Sequence, residues 1–117
     1  RFRVLPSMRF AHFSELMKNA QVMVGNSSAG VREAPFLGLP SLDVGTRQSN
    51  RSDAGSVTSV SAFDTGAIAD FLGQNWGQRH RRHNGFGVGA AADRFVQVLA
   101  QDSFWQISLQ KAFQDTV

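Results

Sequence analysis

The sequence of 117 residues contains no cysteine and no tyrosine. Without cysteine it has no disulfide framework, no thiolate nucleophile and no cysteine-ligated zinc or iron–sulfur site. Long hydrophobic runs are missing as well, since no stretch approaches the roughly 18 apolar residues of a membrane span, and the first residues do not form a signal peptide. We therefore expect a cytoplasmic protein that makes no use of a membrane.

A large excess of one charge is also missing. The chain has 12 lysines and arginines against 9 acidic residues, and a run of five basic residues at 79–83 supplies much of the formal net charge of +3. The remaining charges are mixed in sign, so we predict no nucleic-acid partner. The histidines have no acidic neighbour at the spacing of metal ligands, and we predict neither a metal site nor a cofactor. We interpret residues 79–83 as a solvated surface.

What the chain does contain is an alternation of strand and helix patterns. Its length suits one domain over residues 1–117, although it opens at Arg1 in what looks like a strand already under way. We therefore expect a piece of a longer polypeptide. The pattern predicts strands at 4–6, 22–25, 41–45 and 56–60, and helices at 9–20, 31–37, 64–76, 90–100 and 104–113. Short connections between such elements are typical of βαβ units, so the predicted fold class is α/β with a mainly parallel sheet flanked by helices.

The first candidate site is the turn Gly25–Gly30, which follows the strand at 22–25. In parallel sheets, ligands bind at the carboxyl ends of strands, where loops lead into helices. Asn26, Ser27 and Ser28 supply small polar side chains, and the free N–H groups of a helix start suit a phosphate. A serine at this place is equally typical of a helix N-cap, and the pattern alone leaves both interpretations open.

Three charged residues map to the same edge of the predicted sheet. Glu33 is placed to accept hydrogen bonds from a ribose diol, or else compensates the dipole of its helix. Arg47 and Arg51 flank the loop after the next strand, where they either clamp phosphate or are solvated. Phe13 is a candidate for stacking on a base, although an aromatic side chain at helical spacing more often belongs to the core.

Three sequence blocks identify the chain more closely. They run from Met23 to Pro35, from Gly38 to Pro40 and from Gly45 to Arg51, and they resemble the UDP-N-acetylglucosamine 2-epimerase family in order, spacing and identity. The likeness is greatest to the hydrolysing branch that feeds sialic-acid-type sugar synthesis. Residues 7–10 and the loop Phe86–Gly89 match too, whereas the family commonly has an acidic residue and an asparagine where this chain has Val88 and Ala90.

The resemblance implies a Rossmann-like, UDP-binding C-terminal half of a two-domain fold of the GT-B type, which is the architecture of many glycosyltransferases. It implies that Ser27 and Ser28 bind the diphosphate and that Glu33 binds the ribose. Met8 would bind uracil through its backbone and Phe13 would line the base pocket, while Arg47 would reach the phosphates or the sugar. A terminal helix within residues 103–117 would pack at the domain junction.

The family reaction eliminates UDP from UDP-N-acetylglucosamine and hydrates the product to N-acetylmannosamine. The resemblance places the catalytic carboxylates and histidine in an N-terminal domain that these residues lack, so we expect no catalytic residue and no turnover here. The expected partners are UDP or the UDP-sugar and the absent domain, with a homo-oligomer left open. Two alternatives also stay open: a UDP-N,N'-diacetylbacillosamine 2-epimerase, and a GT-B glycosyltransferase or nucleotide-sugar-binding domain.

Overall fold

The structure is a computed structural model, and it describes residues 2–106 and residue 110. It divides into two compact units, Arg1–Phe86 and Gly87–Val117. Among the described residues, no helix is long and apolar enough to cross a membrane. The elements of the first unit are α1 (Phe10–Asn19), β1 (Met23–Gly25), α2 (Ser28–Val31), α3 (Glu33–Phe36), β2 (Ser41–Val44), β3 (Val57–Val60) and α4 (Thr65–Asn75).

A parallel sheet with the order β1-β2-β3 forms the centre of the first unit. Met23 pairs with Ser41, and Ser41 pairs in turn with Val57. Helices α2 and α3 connect β1 to β2, whereas the segment 45–56 connects β2 to β3 without a helix. The predicted α/β class is confirmed, and a small parallel sheet flanked by helices is consistent with a Rossmann-like fold. The sheet nevertheless has three strands in the described part of the chain rather than the predicted four. The prediction of a strand at 4–6 was wrong, because an extended segment needs a neighbouring strand for its backbone groups, and Val4 is 90% exposed.

The core of this unit lies between α1, the α2–α3 segment and the sheet. Met17, Ala29, Ala34 and Leu39 form its buried cluster, and partly buried Phe13 packs against them. The helix predicted at 9–20 is confirmed as α1, but only part of its apolar face is covered. Phe10 and Leu16, on the same predicted face, are both more than half exposed.

One helix was predicted after the first turn, and the structure has two short ones instead. Helix α2 already begins at Ser28 and ends at Val31. Arg32 interrupts the helical structure before α3 starts at Glu33. Pro35 explains the break, because it has no N–H to donate to the carbonyl group of Val31 and its ring would clash with that group. The helical path from Ser28 therefore cannot continue unbroken.

Helix α3 ends as its sequence predicts, at a glycine. Gly38 has a φ of +66°, and its N–H donates to the carbonyl oxygen of Pro35 at 3.1 Å. The N–H of Leu39 donates to the carbonyl oxygen of Ala34 at 3.0 Å. This pair of bonds is a Schellman motif, which satisfies carbonyl groups that the end of a helix would otherwise leave without donors.

The segment after α4 closes the amino edge of the sheet, the edge at which the parallel strands begin. The N–H groups of His80 and His83 donate to the carbonyl oxygens of Gly38 and Pro35, at 2.9 and 3.0 Å. The Arg79 guanidinium group donates to the carbonyl oxygens of Lys18, in the last turn of α1, and of Ala20, its C-cap, at 3.1 and 2.6 Å. A cation at a helix C-terminus is favourable because it offsets the negative end of the helix dipole.

The second unit contains α5 (Ala91–Leu99) and α6 (Asp102–Trp105). The helix predicted at 90–100 is confirmed as α5, but no residue of α5 is buried. Phe95 and Val96, from its predicted apolar face, are each 64% exposed. Of the segment predicted to be helical at 104–113, and of the terminal helix expected within 103–117, residues 107–109 and 111–117 lie outside the described residues.

Candidate functional site

The carboxyl edge of the sheet brings together two segments that are far apart in the sequence. Strand β1 ends at Gly25 and leads into Asn26 and Ser27, and β2 ends at Val44 and leads into the loop 45–52. Because the strands are parallel, both segments leave the sheet at the same edge. The structure thus places the predicted serines and the two predicted arginines on one side of the fold.

The side chain of Gln48 holds these two segments together. Its Nε2 donates to the carbonyl oxygen of Asn26 at 2.9 Å, and its Oε1 accepts from Nη1 of Arg51 at 3.0 Å. Gln48 is only 3% exposed, whereas Asn26 and Arg51 are exposed, so both hydrogen bonds are partly buried. Two predicted site residues, Asn26 and Arg51, are therefore linked through a third that the sequence reasoning treated only as part of a motif.

The turn itself is a capped helix start. Ser27 is the N-cap of α2, and its Oγ accepts from the N–H of Ala29 at 3.3 Å. The capping interpretation of Ser27 is therefore confirmed, and a bond of this length leaves the hydroxyl group able to make others. Ser27 and Ser28 are both exposed, which makes their hydroxyl groups accessible to a ligand.

Gly30 sets how closely α2 approaches β2. A Cβ atom at Gly30 would lie 2.7 Å from Oγ of Ser41, closer than real Cβ contacts allow. A glycine at this position therefore lets the helix start lie directly against the central strand.

Glu33 stands in the first turn of α3 and is partly buried. Its Oε2 is buried and has no hydrogen-bond partner within the described part of the chain. A carboxylate oxygen in that state can still accept hydrogen bonds from hydroxyl groups of a ligand. This arrangement fits the predicted contact of Glu33 with a ribose. It fits equally well the alternative in which Glu33 compensates the dipole of α3.

The other predicted residues are less closely tied to this edge. Arg47 is exposed in the loop after β2. Met8 is partly buried and precedes α1, and Phe13 packs against the core cluster. The cluster against which Phe13 packs includes Ala29, from the turn after β1. The predicted contacts of Met8 and Phe13 with a base stay predictions.

The structure also contains a buried carboxylate that the sequence reasoning missed. Asp43, on the central strand β2, is 2% exposed and is in register with Gly25. Neither of its carboxylate oxygens has a hydrogen-bond partner among the described residues. The sequence does show Asp43 between Leu42 and Val44 in a short predicted strand, which is a signal for a special role. It does not show that both faces of this strand are buried.

Two cavities adjoin these loops. One of about 430 Å³ lies at the carboxyl edge and is lined by Gly45, Thr46 and residues 59–63. The other, of about 530 Å³, is lined by residues 50–53, His83, Gly85 and Phe86. The histidines were predicted to lack an acidic partner at ligand spacing in the sequence, yet folding brings Nε2 of His83 within 3.2 Å of Oδ1 of Asp53. Within residues 2–106 and 110, no three histidine, aspartate or glutamate side chains are grouped to hold a metal ion.

Comparisons with known proteins agree on one family. Residues 1–100 match the family model described as UDP-N-acetylglucosamine 2-epimerase. The chain is 41% identical over 119 residues to the UDP-N-acetylglucosamine 2-epimerase of Neisseria meningitidis serogroup B, which takes in 98% of this chain and 31% of that protein.

Two further relatives are named for a different substrate. A GDP/UDP-N,N'-diacetylbacillosamine 2-epimerase (hydrolyzing) of Campylobacter jejuni is 46% identical over 39 residues, or 33% of this chain and 10% of that protein. A UDP-N,N'-diacetylbacillosamine 2-epimerase (hydrolyzing) of Legionella pneumophila is 27% identical over 97 residues, or 83% of this chain and 26% of that protein. The chain therefore spans less than a third of the length of each of these relatives.

Proposed function

Because the chain belongs to the UDP-N-acetylglucosamine 2-epimerase family, we propose that it is the C-terminal, UDP-binding domain of a hydrolysing UDP-N-acetylglucosamine 2-epimerase. The whole protein would have the two-domain GT-B architecture and would act in the cytoplasm, in sialic-acid-type sugar synthesis. The observation that carries the proposal is the carboxyl edge of the sheet, where Gln48 links Asn26 to Arg51 beside two exposed serines.

In this proposal the chain binds the leaving group of the reaction. Ser27 and Ser28 donate hydrogen bonds to the diphosphate, and Arg47 and Arg51 offset its negative charge. Glu33 accepts from the ribose hydroxyl groups through its unpartnered Oε2. Met8 binds uracil through its backbone, and Phe13 forms the wall of the base pocket.

The chemistry itself belongs to the rest of the protein. The bond from C1 of the sugar to the diphosphate breaks as a proton leaves C2, which gives UDP and a 2-acetamidoglucal. Addition of water across the double bond then yields N-acetylmannosamine. By holding UDP, this chain stabilises the departing diphosphate, while the base that removes the proton lies in the domain that these residues do not include. We therefore expect the 117-residue chain to bind UDP weakly and to turn over nothing.

Titration with UDP, followed by NMR, tests the site. We expect the amide signals of residues 25–33 to shift in a saturable way, and the Ser27→Ala/Ser28→Ala variant to lose about 1.5–3 kcal/mol of binding free energy for each charged hydrogen bond removed. Asp64→Ala is the matched control, because it removes the N-cap of α4, whose Oδ1 accepts from the N–H of Ala67 at 2.9 Å, and leaves both serines in place. Unchanged UDP affinity in the double serine variant would reduce both serines to a structural role.

The reaction is tested on the full-length protein that contains this chain. Release of free N-acetylmannosamine and UDP from UDP-N-acetylglucosamine is the expected result. Selective turnover of UDP-N,N'-diacetylbacillosamine would favour the second candidate, which the Campylobacter and Legionella relatives support. Transfer of the sugar to an acceptor without release of a free sugar would instead indicate a glycosyltransferase. The oligomeric state and the packing of residues 103–117 at the domain junction can be measured on the same protein.

A further inference from the structure

The basic run 79–83 is a prominent sequence feature that the proposed UDP site does not use. Its backbone is fixed at the amino edge of the sheet by the bonds from His80 and His83 to Gly38 and Pro35. The Arg79 side chain already donates hydrogen bonds to the carbonyl groups of Lys18 and Ala20 at the C-terminal end of α1. Arg81 and Arg82 are exposed, and no hydrogen bond or ion pair of either side chain occurs among the described residues.

A cavity of about 410 Å³ lies against this run. Residues 80–84 line it together with Gly55 and Ser56. Two arginines and two histidines are therefore among the residues that line this cavity, and no acidic residue of the described chain lines it. Oδ1 of Asp53 lies 3.2 Å from Nε2 of His83, one of the lining residues, and the Asp53 side chain is well exposed.

Ser56 adds an observation that the cations do not explain. It is 5% exposed, and its Oγ is buried without a hydrogen-bond partner in the part of the chain that the structure describes. Buried hydroxyl groups are nearly always paired, so this one still has a donor and an acceptor to offer to a further partner. Its backbone carbonyl already accepts from the N–H of Ser41 at 2.9 Å, which holds the residue in place against β2.

From the cavity, the two arginines and the unpartnered hydroxyl group together, we infer that the amino edge carries a second anion site, which takes a phosphate group as a free ion or a small monoester. Guanidinium groups match the oxygens of phosphate with paired donors, and a serine hydroxyl group can supply one more. The volume falls within the range of roughly 300–1,000 Å³ for small-molecule sites and leaves room for an organic group beside the phosphate.

This site is distinct from the proposed UDP site, and the inference does not depend on it. Ser56 directly precedes β3, whereas Ser27 follows β1, so the two lie at opposite edges of the sheet. A strand rises about 3.3 Å per residue, so four-residue strands separate the edges by roughly 13 Å. One phosphate group cannot contact both.

Titration of the 117-residue chain with inorganic phosphate, at constant ionic strength and followed by NMR, tests the inference. We expect saturable shifts at residues 55–56 and 80–84, which are resolved from any shifts at residues 25–33. The Arg81→Ala/Arg82→Ala variant should lose about tenfold or more in affinity at the first set. Arg3→Ala/Arg94→Ala removes the same charge from two exposed positions elsewhere and should keep the affinity within about twofold.

One further variant and one further ligand test the same site. Ser56→Ala should fold at least as stably as the parent chain, because it removes a hydroxyl group with no partner in the described chain, and should bind phosphate about fivefold more weakly. Glycerol 3-phosphate should shift the same amides as inorganic phosphate. The inference is overturned if residues 80–84 do not shift, if both arginine pairs have equal effects, or if acetate binds there as tightly as phosphate.

Discussion

The two edges of one small sheet are held in different ways. At the carboxyl edge, a buried side chain joins the loops, since Gln48 binds the carbonyl group of Asn26 and the guanidinium group of Arg51. At the amino edge, the backbone of residues 80–83 donates to the carbonyl groups of Gly38 and Pro35, and Gly38 has a positive φ. We therefore expect side-chain substitutions to disturb the first edge and substitutions that constrain the backbone to disturb the second.

The largest effect is expected at the amino edge, from Gly38→Ala. A left-handed φ costs a non-glycine residue about 1–2 kcal/mol, and the new Cβ would clash with the carbonyl oxygen of His80. Together these should lower the free energy of unfolding by about 3 kcal/mol in chemical denaturation. Gly73→Ala is the control, because Gly73 lies inside α4 with open space around it and should gain about 0.5–1 kcal/mol. Equal losses in both variants would contradict this account of Gly38.

A somewhat smaller effect is expected at the carboxyl edge, from Gln48→Ala. The change removes both hydrogen bonds and leaves the carbonyl group of Asn26 without its donor, at a cost of about 2 kcal/mol. Amide hydrogen exchange at residues 26–29 should quicken more than exchange at residues 80–83. Ser49→Ala, at the exposed neighbouring position, should leave both rates unchanged. If exchange quickens equally at both edges, the two edges are not held independently.

Asp43→Asn should change stability in the opposite direction. Burial of a carboxylate without a partner is unfavourable, and an amide of the same shape carries no charge to desolvate. We expect the free energy of unfolding to rise by about 1–2 kcal/mol, as measured in urea. A loss of stability would show that water or a ligand satisfies this carboxylate, and would extend the bonded network of the carboxyl edge into the central strand.

The smallest effects are expected from the two N-caps at the carboxyl edge. Asp64→Ala should cost about 1 kcal/mol, because Asp64 accepts from the N–H of Ala67 at 2.9 Å. Ser27→Ala should cost about half as much, since its bond to the N–H of Ala29 is longer, at 3.3 Å. Thermal unfolding of both variants checks the order. A larger loss at Ser27 would mean that its hydroxyl group contributes more to the fold than to a ligand site.

Local chemistry made much of this fold predictable. The sequence Gly38-Leu39-Pro40 predicts the end of α3, and Asp64 or Thr65 predicts the start of α4. Short strand-like segments between turns and helices predict the three strands of the sheet. Long-range bonds were not predictable in the same way, because nothing in the spacing of Gln48 and Asn26 shows that their atoms meet. The capping role of Ser27 was one of two open interpretations, and geometry was needed to confirm it.

Helix α5 shows a second limit of sequence reasoning. Its apolar residues recur at helical spacing, and the helix forms as predicted, yet no residue of it is buried. Periodicity predicts which residues share a face, and it does not predict what covers that face. The absent fourth strand has the same physical origin, since a strand pattern can form a strand only beside a neighbour.

The hydrogen bonds of Arg79 also bear on how the chain folds during synthesis. They join residues that are 59 and 61 positions apart, so the end of α1 cannot reach its final state until the segment after α4 has left the ribosome. Contacts of such long sequence separation slow folding, because the intervening chain must be ordered first. The α1 end should therefore acquire protection from hydrogen exchange late, after the three strands have already paired.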